Sequence, residues 1–142
     1  MFFDRYTPTD LATVEAMLQL ADLKPGELHI DLGSGDGRVC AVAAEKFHAR
    51  SIGYELDPEL VRKSQEYIGP SVKIINADCL DADVSEADVV SFWFIKGLMQ
   101  IFVKLKKEMK PGSRIVYNGL FKDYPADKVK KLWNGSIGLY YV

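Results

Sequence analysis

Cysteine is nearly absent. Cys40 and Cys79 are the only two in 142 residues, and no Cys-x-x-Cys spacing joins them. Two are too few to staple a fold, so they read as reduced thiols rather than as a disulfide framework. Histidine is as scarce: His29 and His48 lie far apart and neither pairs with a cysteine at metal-ligand spacing. His48 reads as a helix-end residue. The acidic stretch Asp78, Asp81, Asp83, Glu86 and Asp88 lacks the glycine and the spacing of a calcium loop. No metal is therefore expected. No apolar run approaches the roughly 18 residues of a membrane span, and Met-Phe-Phe-Asp-Arg lacks the basic and apolar regions of a signal peptide. The expected address is cytoplasmic, with no membrane partner. There is no internal repeat, low-complexity tract or flexible linker. A net charge of −2 does not advertise nucleic-acid binding.

What is present is ordinary in amount. Apolar residues are 48% and charged residues 27%, near the average for globular chains. The length suits one domain, residues 1–142, with a core that buries roughly 68–70% of the unfolded surface. Charge is uneven. Residues 1–71 hold 7 Lys/Arg against 12 Asp/Glu, and residues 72–142 hold 11 against 8.

Strand and helix patterns alternate. Leu11, Val14, Leu18 and Ala21 recur at helical spacing and predict a helix over 8–22. Thr7-Pro8-Thr9-Asp10 opens it and Lys24-Pro25-Gly26 stops it. Strands are predicted over 28–32, 51–55, 72–76, 88–94 and 114–118, with helices over 37–47, 57–68 and 97–110 between them. Residues 88–94 are almost continuously apolar, as in a parallel strand covered on both faces. Asn134-Gly135, between apolar runs 129–133 and 137–142, predicts a closing hairpin. This order implies an α/β fold: a three-layer αβα sandwich, its sheet mostly parallel and closed by a C-terminal antiparallel hairpin. Such sheets bind ligands beyond the carboxyl ends of their strands, where strand order reverses.

Asp31-Leu32-Gly33-Ser34-Gly35-Asp36-Gly37-Arg38 follows a strand and precedes a helix, as a nucleotide-cradling loop does. The glycines fall at 33, 35 and 37, so the dinucleotide fingerprint is not met: its last position, 38, is arginine. No Gly-Lys-Ser/Thr follows, which excludes a Walker loop. Asp31 and Asp36 beside a helix N-terminus would repel pyrophosphate but suit a ligand that carries an ammonium group. Glu55 ends the second strand 20 residues beyond Gly35, where a carboxylate can accept both ribose hydroxyls.

The Asp-x-Gly-x-Gly-x-Gly loop resembles the signature of class I, Rossmann-like, S-adenosyl-L-methionine (SAM)-dependent methyltransferases. The resemblance implies that Asp31, Gly33, Ser34, Gly35 and Gly37 surround the methionine end and that Glu55 holds ribose. It further implies Leu56 against the adenine face, with Asp78 and the Cys79 amide on the adenine edge. Tyr6-Thr7-Pro8-Thr9, the 31–38 loop and Glu55-Leu-Asp-Pro58 are similar to the small, broad-specificity protein-lysine methyltransferases of archaea. Residues 1–25 would then form a lid and first helix, with Tyr6 and Thr7 over the donor, and residues 26–142 the core.

The acceptor should enter beyond the fourth strand, at Ser91-Phe92-Trp93-Phe94-Ile95. The Asn/Asp-Pro-Pro-Tyr/Phe of base-directed enzymes, which would hydrogen-bond a flipped base amine, is absent. Trp93 and Phe94, with Tyr6, instead make an apolar aromatic channel suited to a lysine stem and a neutral amine. Phe92, Trp93 and Phe94 read equally well as buried strand residues. Methyl transfer to protein lysine is the leading expectation. A small-molecule or RNA acceptor and a non-catalytic SAM-binding module are the alternatives. Residues 96–131 hold 10 Lys/Arg against 3 Asp/Glu, a solvated face or a weak docking surface for an acidic protein or RNA.

Overall fold

The computed structural model describes residues 10–66, 68–93, 98–119 and 126–142. Its elements run α1 (Leu11–Leu20), β1 (Leu28–Leu32), α2 (Arg38–Phe47), β2 (Arg50–Glu55), α3 (Pro58–Ser64), β3 (Val72–Asn76), a one-turn helix at Cys79–Asp81, β4 (Val89–Trp93), α4 (Leu98–Glu108), β5 (Arg114–Asn118), β6 (Lys128–Leu132) and β7 (Gly135–Tyr141). The seven strands form one sheet in the order β3-β2-β1-β4-β5-β7-β6. β1 pairs in parallel with both β2 and β4, so strand order reverses there. β7 inserts antiparallel between β5 and β6. The expected Rossmann-like sandwich with its antiparallel closure is what forms. Among the described residues no helix is long and apolar enough to cross a membrane.

Alternation along β1 splits the chemistry of the two sheet faces. Leu28, Ile30 and Leu32 join Val90, Phe92, Ile115 and Tyr117 in a core capped by Ile101, Phe102 and Leu105 of α4 and by Met109 just beyond it. Phe92 stacks on Tyr117 with ring centroids 5.5 Å apart. On the opposite face Val14, Met17 and Leu18 of α1 and Val42 and Ala43 of α2 pack on Val89, Val116, Ile137 and Leu139. His29 and Asp31 point to this second face, between apolar neighbours.

Several boundaries differ from the sequence expectation. Asp10 itself caps α1, accepting the Thr13 N–H at 2.9 Å. The helix ends at Leu20, because Asp22 turns left-handed (φ 54°) to start the descent into β1. α3 stops at Ser64, four residues short of the expected end at Ile68. The hairpin closes one residue early: Leu132 pairs with Gly135, leaving Trp133-Asn134 as the loop. Asn134 Nδ2 reaches Asp10 Oδ2 at 3.1 Å, which ties the hairpin tip to the start of α1.

Candidate functional site

The carboxyl ends of β3, β2, β1 and β4 lie side by side, in register Glu55↔Asn76, Leu32↔Tyr54 and Leu32↔Phe92. Three interstrand spacings separate the outer two, on the order of 14 Å. Along this ledge the sequence places Asp78 beyond β3, Glu55 at the end of β2, Asp31 within β1 and Trp93 at the end of β4. It is an acidic rim with an aromatic at one end.

The loop after β1 is fixed by its neighbours. Gly33 N–H and Ser34 N–H both donate to the Tyr54 carbonyl, at 2.8 and 3.0 Å. Gly33, Gly35 and Gly37 have φ of 78°, 59° and 85°, values that side chains with a Cβ rarely adopt. Beside Gly33 a Cβ would meet open space, so the backbone is exposed to whatever enters. Ser34 turns the other way. Its side chain lies over Gly53, where any Cβ would come within 2.6 Å of it. The Ser34 hydroxyl is buried without a hydrogen-bond partner among the described residues. The side chain thus supports the loop from below, and only its backbone borders the ledge.

Glu55 reaches back to this loop. One carboxylate oxygen accepts Gly35 N–H at 2.7 Å and the other accepts Asp57 N–H at 2.9 Å. Asn76 Nδ2 holds the carbonyls of Glu55 and Leu56 at 2.9 and 3.0 Å. Sequence reasoning missed Asn76. Leu56 stands 66% exposed beside this acid, an apolar surface in a polar setting. Asp78 accepts Leu80 N–H at 3.0 Å and so caps the one-turn helix. The Cys79 N–H occupies its first position, where a helix offers no internal acceptor. Leu80, 43% exposed, adds apolar surface there.

Asp31 is 5% exposed. Ser91 Oγ donates to its Oδ1 at 2.7 Å. Burial pushes its carboxyl up to about 7; the Ser91 hydrogen bond pulls the other way and the Glu55 charge adds to the rise. A cation brought to this group would restore its charge. Behind Ser91 lies His29, whose Nε2 is 2.8 Å from Ser91 Oγ and whose Nδ1 is 2.7 Å from Ser51 Oγ. Burial holds this imidazole neutral, its pKa lowered to about 3. No spacing along the sequence signals this connection, because its members meet only through strand register.

Asp36 corrects the sequence reading. It is paired with Arg38, 2.7 Å from Nη2, and also accepts the Arg38 Nε–H and backbone N–H. Its charge is matched within the loop rather than offered to a ligand. Trp93 is 36% exposed at the exit of β4, whereas Phe92 is core. Tyr6, Thr7 and Phe94 lie outside the described residues, as does part of the basic segment 96–131. Both cysteines are free thiols, and burial raises both, that of Cys79 to about 12. No cluster of metal-binding side chains occurs among the described residues.

The donor set fits a sulfonium-bearing adenosine with an amino-acid arm. A buried carboxylate suits the ammonium, a bare glycine backbone admits close approach, a strand-end carboxylate suits ribose and an exposed leucine suits a flat base. Residues 31–120 match a sequence model of the ANTKMT methyltransferase domain. The chain is 32% identical over 118 residues to a protein-lysine N-methyltransferase of Saccharolobus islandicus, covering 78% of this chain and 73% of that protein. It is 30% identical over 117 residues to the adenine nucleotide translocase lysine N-methyltransferase of Mus musculus, covering 78% of this chain but 51% of that protein. A solved Salinibacter ruber RNA methyltransferase in complex with S-adenosyl-L-homocysteine superposes with a TM-score of 0.89 at 30% identity. The match covers 95% of this chain and 93% of that one.

Proposed function

The chain belongs to the family of the ANTKMT methyltransferase domain, which uses SAM, and on that premise we propose that it methylates the side-chain amine of protein lysines. The observation that carries the lysine reading is the 32% identity to the archaeal protein-lysine enzyme, most of whose length this chain spans.

SAM supplies a methyl group already activated on a sulfonium. The protein's work is to hold, aim and keep out water. Asp31 takes the ammonium of the methionine arm, and the Gly33 and Gly35 backbone lets that arm lie close. Glu55, already oriented by the Gly35 and Asp57 amides, accepts the ribose hydroxyls. Leu56 lies along the base; Asp78 accepts from its amino group and the Cys79 N–H donates to a ring nitrogen. Trp93 and Phe94, with Tyr6 from the segment that the resemblance places over the donor, flank the incoming lysine stem. An apolar aromatic wall lowers the amine's pKa, which keeps the nitrogen lone pair free to attack. No general base is required, since the proton leaves the product ammonium to solvent.

A second reading rests on the Salinibacter neighbour, which is called an RNA methyltransferase and matches almost end to end. One experiment separates the two. The protein is incubated with methyl-labelled SAM and pools of cell protein, RNA or metabolites. Label that proteinase removes, and that mass spectrometry places on lysine, supports the lysine proposal. Label lost to ribonuclease, or found only on small molecules, overturns it.

A further inference from the structure

Four buried side chains on β2, β1 and β4 form an unbroken hydrogen-bonded row: Ser51, His29, Ser91 and Asp31, linked at 2.7, 2.8 and 2.7 Å. Ser51, His29 and Ser91 are at most 2% exposed. A buried polar row in a sheet core is costly unless each member is satisfied. Here each is, and the row ends at the one carboxylate assigned to the donor's ammonium.

We propose that Ser91, oriented by His29 and Ser51, is a positioning residue that favours the ionised form of Asp31 and aims it at the ammonium of the donor's amino-acid arm. This rests on the donor assignment of Asp31 above. The direction of the row follows from donor and acceptor counting. Ionised Asp31 only accepts, so the Ser91 hydroxyl donates to it. Ser91 Oγ must then accept from His29 Nε2–H. That leaves His29 Nδ1 bare, accepting from the Ser51 hydroxyl. If Asp31 is protonated, the row can reverse: Asp31 donates to Ser91, Ser91 donates to Nε2, and Nδ1–H donates to Ser51. The His29 tautomer therefore reports the charge of Asp31. The titratable groups facing Asp31 among the described residues are Glu55 on β2, Cys40 on α2 and Cys79 beyond β3; none of these supplies positive charge. Unlike these groups, Ser91 favours the ionised form through its hydrogen bond, ahead of the ligand itself.

The test compares two ligands by titration calorimetry. S-adenosylhomocysteine carries the ammonium; 5′-methylthioadenosine keeps the adenosine and thioether but has no amino-acid end. In Ser91→Ala, S-adenosylhomocysteine should bind about tenfold more weakly at pH 7, the scale of one hydrogen bond to a charged group. Methylthioadenosine should stay within about twofold of wild type. The pH at which homocysteine-ligand affinity begins to fall should move upward by roughly one unit. Ser91→Thr, which keeps the hydroxyl, should restore both. Equal weakening of the two ligands, or an unmoved pH profile, would overturn the proposal. So would nitrogen NMR of the wild-type protein at pH 8 that finds His29 protonated on Nδ1 with S-adenosylhomocysteine bound. Wild-type protein that binds neither ligand would refute the donor assignment itself, a result distinct from a failure of Ser91 alone.

Discussion

Gly53 is the test of whether the donor loop is held from below. A Cβ at this position would stand 2.6 Å from Ser34 Cβ, 2.7 Å from Ser34 Oγ and 2.8 Å from Ile74 Cδ1. The methyl end of Ile74 can swing aside cheaply. Ser34 Cβ cannot, because its own N–H is bonded to the Tyr54 carbonyl at 3.0 Å. Gly53→Ala must therefore lift the loop or strain β2, and overpacking of this kind costs about 1–3 kcal/mol. A loss of about 2 kcal/mol lowers the melting temperature by roughly 6 °C in a chain of this size. Because the lifted segment includes Gly33 and Ser34, affinity for S-adenosylhomocysteine should fall roughly tenfold, equivalent to about 1.4 kcal/mol. Gly69→Ala is the control: nothing lies within 4 Å of its added Cβ, and stability should change by less than about 1 kcal/mol. Scanning fluorimetry and calorimetry on both variants decide the matter. A Gly53→Ala protein that melts within a degree of wild type and binds the ligand within twofold would refute the reasoning.

Other expectations follow from the same geometry. Glu55→Ala removes a charged acceptor and frees Gly35 N–H; ligand affinity should drop by about tenfold or more, and unchanged calorimetric affinity would remove Glu55 from the ribose site. Trp93→Ala should raise KM for a lysine-bearing acceptor while leaving S-adenosylhomocysteine affinity within twofold, and an equal loss in both would place Trp93 against the donor. The pH dependence of unliganded stability sets two buried groups against each other. Asp31, raised from 3.8 to about 7, holds more protons folded than unfolded, so it makes stability fall as pH rises across that window. His29, lowered from 6.5 to about 3, does the reverse. Between about pH 4 and 6.5 the two slopes cancel, and a His29→Asn variant should reveal the Asp31 slope alone in denaturant titrations. A variant whose stability rose with pH there would contradict the Asp31 assignment.

The loop is the most legible part of the sequence. Its glycines lie after a strand and before a helix, and the positive φ at all three is what their spacing requires. β1, β3 and β5 occupy the residues that their apolar runs suggest; for β1, buried along its whole length, and β5, buried at its centre, the reason is that a strand covered on both faces has little freedom in composition. The hairpin loop lies one residue earlier than Asn134-Gly135 suggests: burial of Ile137 and Leu139 sets the face that β7 presents to the core, which the local dipeptide does not encode. The charge of Asp36 and its place near a helix start suggest a ligand contact, yet its partner stands two residues on, at Arg38. Ser91 and His29 are legible only as residues. Their connection requires knowing that Asp31 lies opposite Ser91 in a parallel register, 60 positions along the chain.

The central place of β1 has a consequence for how the protein is made. The strand leaves the ribosome early, but its second neighbour, β4, is not complete until Trp93 has been added. Until then one edge of β1 is open, and Asp31 is an unpartnered acid on a nascent chain. Non-local parallel pairing of this kind closes slowly. A fragment ending before residue 89 would carry every glycine and carboxylate of the ledge but not β4, the strand that covers the second edge of β1 and brings Ser91 to Asp31.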